Sequence, residues 1–283
     1  MDAQRLRWQV YGVEEALLPT SASVDGREID ARDARDDALH FIAYADSEPA
    51  GTVRLLLPAG GAEATRGGRL GLDLDAKFDL GALVAPCDRP AEVTRYCVPR
   101  RYRHTAAART LFCALYAESL RLGVTHWLAG ANMETDVPED AAIACQVARE
   151  RQLVHPCLRV EARVGAPAET PRKRPLYTEE QRRRALCGDI QGLALPRTLT
   201  LFALRMGARY IGSPVYDPYF GVFALPLVAA LADVATGRHS YDGASARLRA
   251  KESARAHSER PAAATPTTRM ATPAAGSDAA RRD

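Results

Sequence analysis

A chain of 283 residues with 47% apolar composition is long enough to bury a substantial core, as one large domain or as one domain with extensions. The formal net charge of +3 is accounted for by residues 249–283, which hold seven Arg/Lys and four Asp/Glu. The body is therefore near neutral and lacks the basic stripe of a dedicated nucleic-acid binder, so no nucleic-acid partner is expected. Six cysteines (Cys87, Cys97, Cys113, Cys145, Cys157 and Cys187) show neither a Cys-x-x-Cys pair nor a histidine at ligand spacing, which argues against a metal site. With no apolar signal core in residues 1–7, they predict free, mostly buried thiols in a reducing cytoplasm. The longest uncharged apolar run, 219–232, falls short of the roughly 20 residues that span a bilayer, so it reads as core; a peripheral membrane contact stays open. Only Lys77, Lys173 and Lys251 are lysines, and arginine is the default cation.

In chain order, Leu6, Val10, Val13 and Leu17 have helical spacing and predict one helix over 3–17, ended by Pro19. Residues 20–37 are polar and acidic. Two strands, 39–45 and 51–57, follow around a hairpin signal at 46–49. After a glycine-rich loop (60–71) and the segment 77–80 comes a strand over 92–98. A striped helix at 105–122, closed by Gly123, and a strand at 125–131 complete this half. Beyond it, 139–151 reads as helix, 154–164 as extended and 167–175 as a basic loop. Helical pattern returns at 179–187 and 196–206, with Gly207 as a C-terminal cap, and short strands are expected at 209–212 and 221–225. This order describes an α/β (α+β) architecture: a mixed, mainly antiparallel sheet flanked by helices. One domain is expected over 1–248 and a disordered tail over 249–283.

The strand Glu92-Val93-Thr94-Arg95-Tyr96-Cys97-Val98 carries the most chemistry. Simple alternation places Glu92, Thr94 and Tyr96 on one face and Val93, Arg95 and Cys97 on the other. Charged groups on a sheet cost free energy unless something pairs with them or uses them. Two readings follow for Glu92 and Arg95: separate structural ion pairs, or a site.

Four segments resemble the GNAT acyltransferase group that contains acyl-homoserine-lactone synthases, N-acyl amino acid synthases and lyso-ornithine-lipid acyltransferases. They are Leu6-Arg7-Trp8-Gln9-Val10-Tyr11, Glu28-Ile29-Asp30-Ala31-Arg32-Asp33 followed by His40, Gly51-Thr52-Val53-Arg54-Leu55, and Glu92-Val93-Thr94-Arg95. A fifth segment, from Leu204 through Pro214-Val215-Tyr216-Asp217-Pro218-Tyr219-Phe220-Gly221, resembles the ornithine-lipid branch, which makes homoserine-lactone formation the weaker option. The group usually has a strand before the Leu-Arg-aromatic helix. Here the helix begins almost at Met1, so either the sheet lacks an edge strand or the natural start lies upstream.

The resemblance implies a GNAT-like fold and transfer of a fatty acyl group from an acyl carrier protein or coenzyme A thioester to the amine of an amino acid or amino-acid-derived acceptor, with no tightly bound cofactor. Acyl carrier protein is the macromolecular partner so implied. Glu92 would bind or deprotonate the ammonium, Arg95 would orient Glu92 or hold an acidic group, and Thr94 completes the catalytic set. Arg7, Trp8, Asp30, Asp33 and Arg54 would bind substrate; for Arg54 an ion pair with the Asp30/Asp33 loop is the alternative, and for Arg7 a solvated helix face. Arg103-His104-Thr105-Ala106-Ala107-Ala108 resembles the group's phosphate loop, so Arg103, Thr105, Ala106 and Ala108 would hold the donor. Ala106 in place of a glycine suits the single phosphate of carrier-protein pantetheine. Arg100, Arg101, Arg103 and Arg109 would meet an acidic carrier surface. Removing an amine's proton costs about 1 to 1.4 kcal/mol at neutral pH, whereas positioning supplies up to about 7 to 11 kcal/mol and each oxyanion donor about 3 to 4. The rival reading is a catalytically silent GNAT-fold module that binds a carrier or partner protein.

Overall fold

The chain opens with helix α1 (Asp2–Arg7), which widens into a π-helical segment over Trp8–Glu14. The computed structural model describes residues 1–59, 69–163 and 173–236. The expected single helix is thus two geometries: the Glu15 N–H reaches back five residues to the Val10 carbonyl (2.9 Å), and Ala16 ends the segment at φ +47°. Trp8 lies so closely over Gly12 that an added Cβ there would sit 2.5 Å from the indole. The wide turn points Tyr11 inward, where its hydroxyl donates to the Tyr96 carbonyl (3.0 Å).

A two-residue ladder, β1 (Ser23–Val24) with β2 (Arg27–Glu28), and a 3₁₀ turn over Ala31–Ala34 shape the stretch read only as polar. The hairpin β3 (Ala38–Ala45) and β4 (Glu48–Leu56) turns through Asp46 and Ser47, both at positive φ as a tight two-residue hairpin requires. Next come β5 (Phe78–Asp79), β6 (Pro90–Cys97), α2 (Ala107–Arg121), β7 (His126–Asn132), α3 (Pro138–Glu150), β8 (Glu161–Ala162), α4 (Glu179–Leu186) and α5 (Arg197–Met206). The described chain ends with β9 (Arg209–Tyr210), β10 (Val215–Asp217), β11 (Val222–Ala230) and α6 (Leu231–Thr236).

The main sheet has the order β10-β11-β7-β6-β4-β3, with β9 also on β11. Every pairing is antiparallel except β6 with β7. This is the mixed, mainly antiparallel α/β layer expected from sequence, and among the described strands β3 forms its edge. One face buries Val53, Leu55 and Val93 against Leu111 and Leu115 of α2, Ala144 of α3 and Leu199 of α5. The other face buries Leu56 beneath Leu72, Leu74, Phe78 and Leu80 of the connection that leads into β6. α1 docks on this second side, with Leu6, Val10 and Tyr11 against Cys97.

Three expectations change. Among the described residues of the segment expected over 154–164, strand pairing is confined to Val154, bridged to Tyr210, and β8. The strand expected at 221–225 runs through Ala230, because its apolar run pairs with all of β7, and β10 adds a strand not foreseen. Gly207 does cap α5, at φ +64°. Cys157 and Cys187 are exposed, while the other four thiols are buried. The glycine-rich stretch 60–68, residue 164 of the expected extended stretch, residues 167–172 of the basic loop and the expected tail over 249–283 lie outside the described residues.

Candidate active site

β6 and β7 are paired in parallel only through Pro90–His126, Ala91–Trp127 and Glu92–Leu128. Beyond that last pair the strands part. Residues 93–98 line one side and Gly130, Asn132 and Glu134 the other of a cavity of about 600 Å³, within the range of small-molecule sites. Val93, Phe112, Leu201, Phe202 and Phe223 give it an apolar wall; Glu92, Lys77 and Asp217 add charge.

Glu92 sits where the strands separate. It is 2% exposed, lines the cavity, and its Oε2 accepts the Leu74 N–H at 3.2 Å. Burial, and secondarily the negative charge of Asp73, push its carboxyl up to about 8, against a smaller opposing pull from Lys77. A carboxyl with that affinity exchanges a proton with an amine at almost no cost, since an α-amino group titrates near 7.7 to 8.0.

Arg95 reaches the same side of the sheet through a bulge. Arg54 opposes Thr94 and Thr52 opposes Cys97, so Arg95 and Tyr96 together face Val53, and Arg95 takes a left-handed conformation at φ +55°. The simple alternation expected from sequence therefore fails after Thr94. Tyr96 turns to stack on Phe112 of α2, and Arg95 joins the face of Glu92, Thr94 and Cys97. A bulky side chain in that conformation costs on the order of 1–3 kcal/mol, and its surroundings must hold it.

A buried ion network does so. Arg95 binds Glu28 (3.1 Å) and Asp30 (2.5 Å) and lies over the rings of Tyr219 and Phe220. Arg54, fully buried, donates to Asp30 (3.1 Å), Asp33 (2.9 Å), Asp73 (2.9 Å) and the Thr94 hydroxyl (3.0 Å). Arg7 closes the network on Glu28 (2.5 Å) and Asp33 (2.8 Å), and the Tyr219 hydroxyl donates to Glu28 (2.6 Å). Burial works to raise the Asp33 carboxyl, yet the Arg7 guanidinium holds it well below the usual range; Asp30 is lowered too, burial opposing and Arg95 prevailing.

The sequence-derived candidates thus divide. Glu92, Thr94, Arg95, Arg103, Thr105 and Ala108 line the cavity. Arg7, Asp30, Asp33 and Arg54 do not: they are one another's partners behind Thr94, Arg95 and Asp73, which corrects the reading of Arg7 as a solvated residue and favours the ion-pair reading of Arg54. Trp8 also stands off the cavity, over Gly12, and Ala106 is exposed beside it. The arginines at the mouth are not a free basic patch. Arg100 binds the Glu14 carbonyl (2.6 Å), Arg101 binds Glu48 (3.0 Å) and Arg103 binds Glu15 (2.5 Å), while Arg109 is exposed on the cavity rim. Thr105 Oγ1 accepts the Ala107 N–H (3.2 Å) at the start of α2. Sequence reasoning gave no role to Glu28, Asp73, Lys77, Asp217 or Tyr219. The one usable signal was Lys77, a rare lysine in an arginine-rich chain.

Residues 6–112 match the family model described as Acetyltransferase (GNAT) domain. That segment runs from the end of α1 through the β3–β4 hairpin and β6 into α2. No curated protein matches the chain. Among solved structures it is similar to a CoA-dependent acyl-homoserine lactone synthase, BjaI, with SAM and isopentyl-CoA (15% identity, 87% of this chain and 80% of that one, TM-score 0.41). It is similar also to FeeM, an N-acyl amino acid synthase from uncultured soil microbes (11%, 83% and 92%, TM-score 0.42), and to the AHL synthase LasI (12%, 81% and 81%, TM-score 0.40).

Two stability measurements test this site. Replacing Arg54 by Ala removes one partner from each of three part-buried carboxylates, Asp30, Asp33 and Asp73, and lowers unfolding free energy by about 3–5 kcal/mol, read from urea denaturation. Glu92 holds its proton in the folded state up to about pH 8 but loses it near 4.5 when unfolded. Its contribution is therefore complete below about pH 4.5 and is lost as pH rises through 8. Glu92→Gln escapes that loss, so the variant gains on the wild type between pH 5 and pH 9; a constant difference across that range refutes the raised affinity.

Proposed function

We propose that the protein transfers a fatty acyl group from a pantetheine thioester, on acyl carrier protein or coenzyme A, to the amine of an amino acid or amino-acid-derived acceptor. The observation that carries this reading is Glu92: a buried carboxyl with its affinity raised to about 8, placed where β6 and β7 part and open to a cavity with an apolar wall. The acyl chain lies along Val93, Phe112, Leu201 and Phe202, and the pantetheine arm enters between the parted strands. The start of α2, with Arg103 and Thr105 at the rim, takes the phosphate. The acceptor nitrogen attacks the thioester carbonyl, the N–C bond forms and the C–S bond breaks. Glu92 removes the proton from nitrogen and returns it to the departing sulfur.

Arg95 and Thr94 are positioning residues in this scheme, because the network engages both and fixes the strand that carries Glu92. A carrier-protein donor is favoured by Ala106, whose methyl group keeps a second phosphate from the backbone, and by exposed Arg109 at the rim. The cytoplasm, where such thioesters are made, is the compartment this chemistry implies.

Incubation of the protein with acyl carrier protein and coenzyme A thioesters of several chain lengths, together with a pool of amino acids, should yield N-acylated products identified by mass. Glu92→Gln should lower kcat by roughly 10² to 10⁴. Absence of any acylated amine with every donor, or an undiminished rate in Glu92→Gln, overturns the assignment.

A further inference from the structure

Lys77 is the only lysine among the described residues that line the cavity. It ends the 3₁₀ turn Leu74–Ala76, its own N–H bonded to the Leu74 carbonyl (2.9 Å), and the Leu74 N–H is the donor to Glu92. One short turn thus carries Lys77 at its end and, at its start, binds the Glu92 carboxyl that β6 brings to the cavity. Lys77 Nζ lies 2.9 Å from Asp217 Oδ2 at the start of the turn between β10 and β11. The Lys77 side chain is one-quarter exposed, whereas that of Asp217 is 9% exposed and its other oxygen is fixed by the Tyr219 N–H (3.0 Å).

Of the other cations on the cavity, Arg109 is exposed at the rim and the remaining three are committed. Arg95 belongs to the buried network, Arg103 binds Glu15, and Arg197 binds Glu134. Lys77 alone carries a charge that acts directly on the Glu92 carboxyl while keeping exposed donor surface.

We propose that Lys77 binds the carboxylate of the acceptor, which makes the acceptor a free α-amino acid rather than a simple amine, an ester or an amide. This rests on the acyl-transfer reading above and names its substrate class. An α-amino acid bears both charges on one carbon, so its carboxylate meets Lys77 while its nitrogen faces Glu92 with Asp217 nearby. Such a zwitterion leaves the net charge of this pocket unchanged. A plain amine would bring an uncompensated positive charge, and an amide would leave Lys77 without a new partner. Asp217 holds the Lys77 ammonium in place, an alignment that spares Lys77 part of the rotamer entropy lost on binding.

The test is acyl transfer to an amino acid and to its carboxamide, with the same donor, by wild type, Lys77→Ala and Lys77→Arg. Wild type should prefer the free acid. Lys77→Ala should raise KM for the acid by about 10- to 100-fold, the worth of a charge-assisted hydrogen bond, and raise KM for the amide by far less, so that the preference for the acid collapses. Lys77→Arg should keep most of the preference, which separates carboxylate recognition from a loss of the Asp217 bridge. If acid and amide are both acylated and the preference survives Lys77→Ala, or is already absent in wild type, this proposal falls while acyl transfer stands. If nothing is acylated, both fall.

Discussion

Three arginines and four carboxylates packed under the first helix set the geometry of this protein. Buried ion pairs are weak contributors to net stability, since desolvation consumes most of the Coulomb gain; their value is that few other arrangements satisfy all the charges at once. Here that exclusivity falls on Arg95, whose left-handed backbone is unfavourable by itself and is held by Glu28, Asp30 and the rings of Tyr219 and Phe220. The bulge at Arg95 bends β6 just past its last pairing with β7. Network, bulge and cavity form one causal series, and Glu92 sits at its end.

The same burial that makes the network selective prepares Glu92 for proton exchange. An exposed glutamate titrates near 4.3 and would be a poor match for an amine; enclosed beside Asp73, this one is brought to the amine range. In the proposed reaction the apolar wall opposite serves two ends, limiting water at the carboxyl and offering surface to a hydrocarbon chain. Glu134 supplies a second strained residue across the gap, at φ +60°, and its carboxylate accepts the Thr198 N–H (3.2 Å) at the start of α5. A non-glycine residue at positive φ thus flanks the gap on each side, Arg95 within β6 tied to the network and Glu134 just past β7 tied to the helix that closes the apolar side.

Much of this was legible in the sequence, for identifiable reasons. Alternating and helical periodicity located β3, β4, β6, β7 and helices α2 to α5, because each buries one face on a shared core. The Glu92 segment stood out because charge on a strand demands an explanation. What pattern alone missed was three-dimensional compensation. A two-residue period offers no sign of the bulge, so Arg95 and Tyr96 were assigned to the wrong faces. Arg7, Asp30, Asp33 and Arg54 were recognised as a set, but their composition does not reveal that their charges close on one another and leave only Thr94 and Arg95 to the cavity. Lys77 and Asp217, separated by 140 positions, meet because the 3₁₀ turn before β5 and the end of β10 border the same cavity.

The central claim is that the gap between β6 and β7 receives a thioester whose carbonyl lies against Glu92. A crystal structure with a non-hydrolysable acyl-pantetheine thioether tests it most directly. The account predicts the pantetheine arm between residues 93–98 and 130–134, the acyl chain on Phe112 and Phe202, and the reacting carbon within reach of the Glu92 carboxyl. An arm bound elsewhere, or an acyl chain left in solvent with the gap empty, contradicts it.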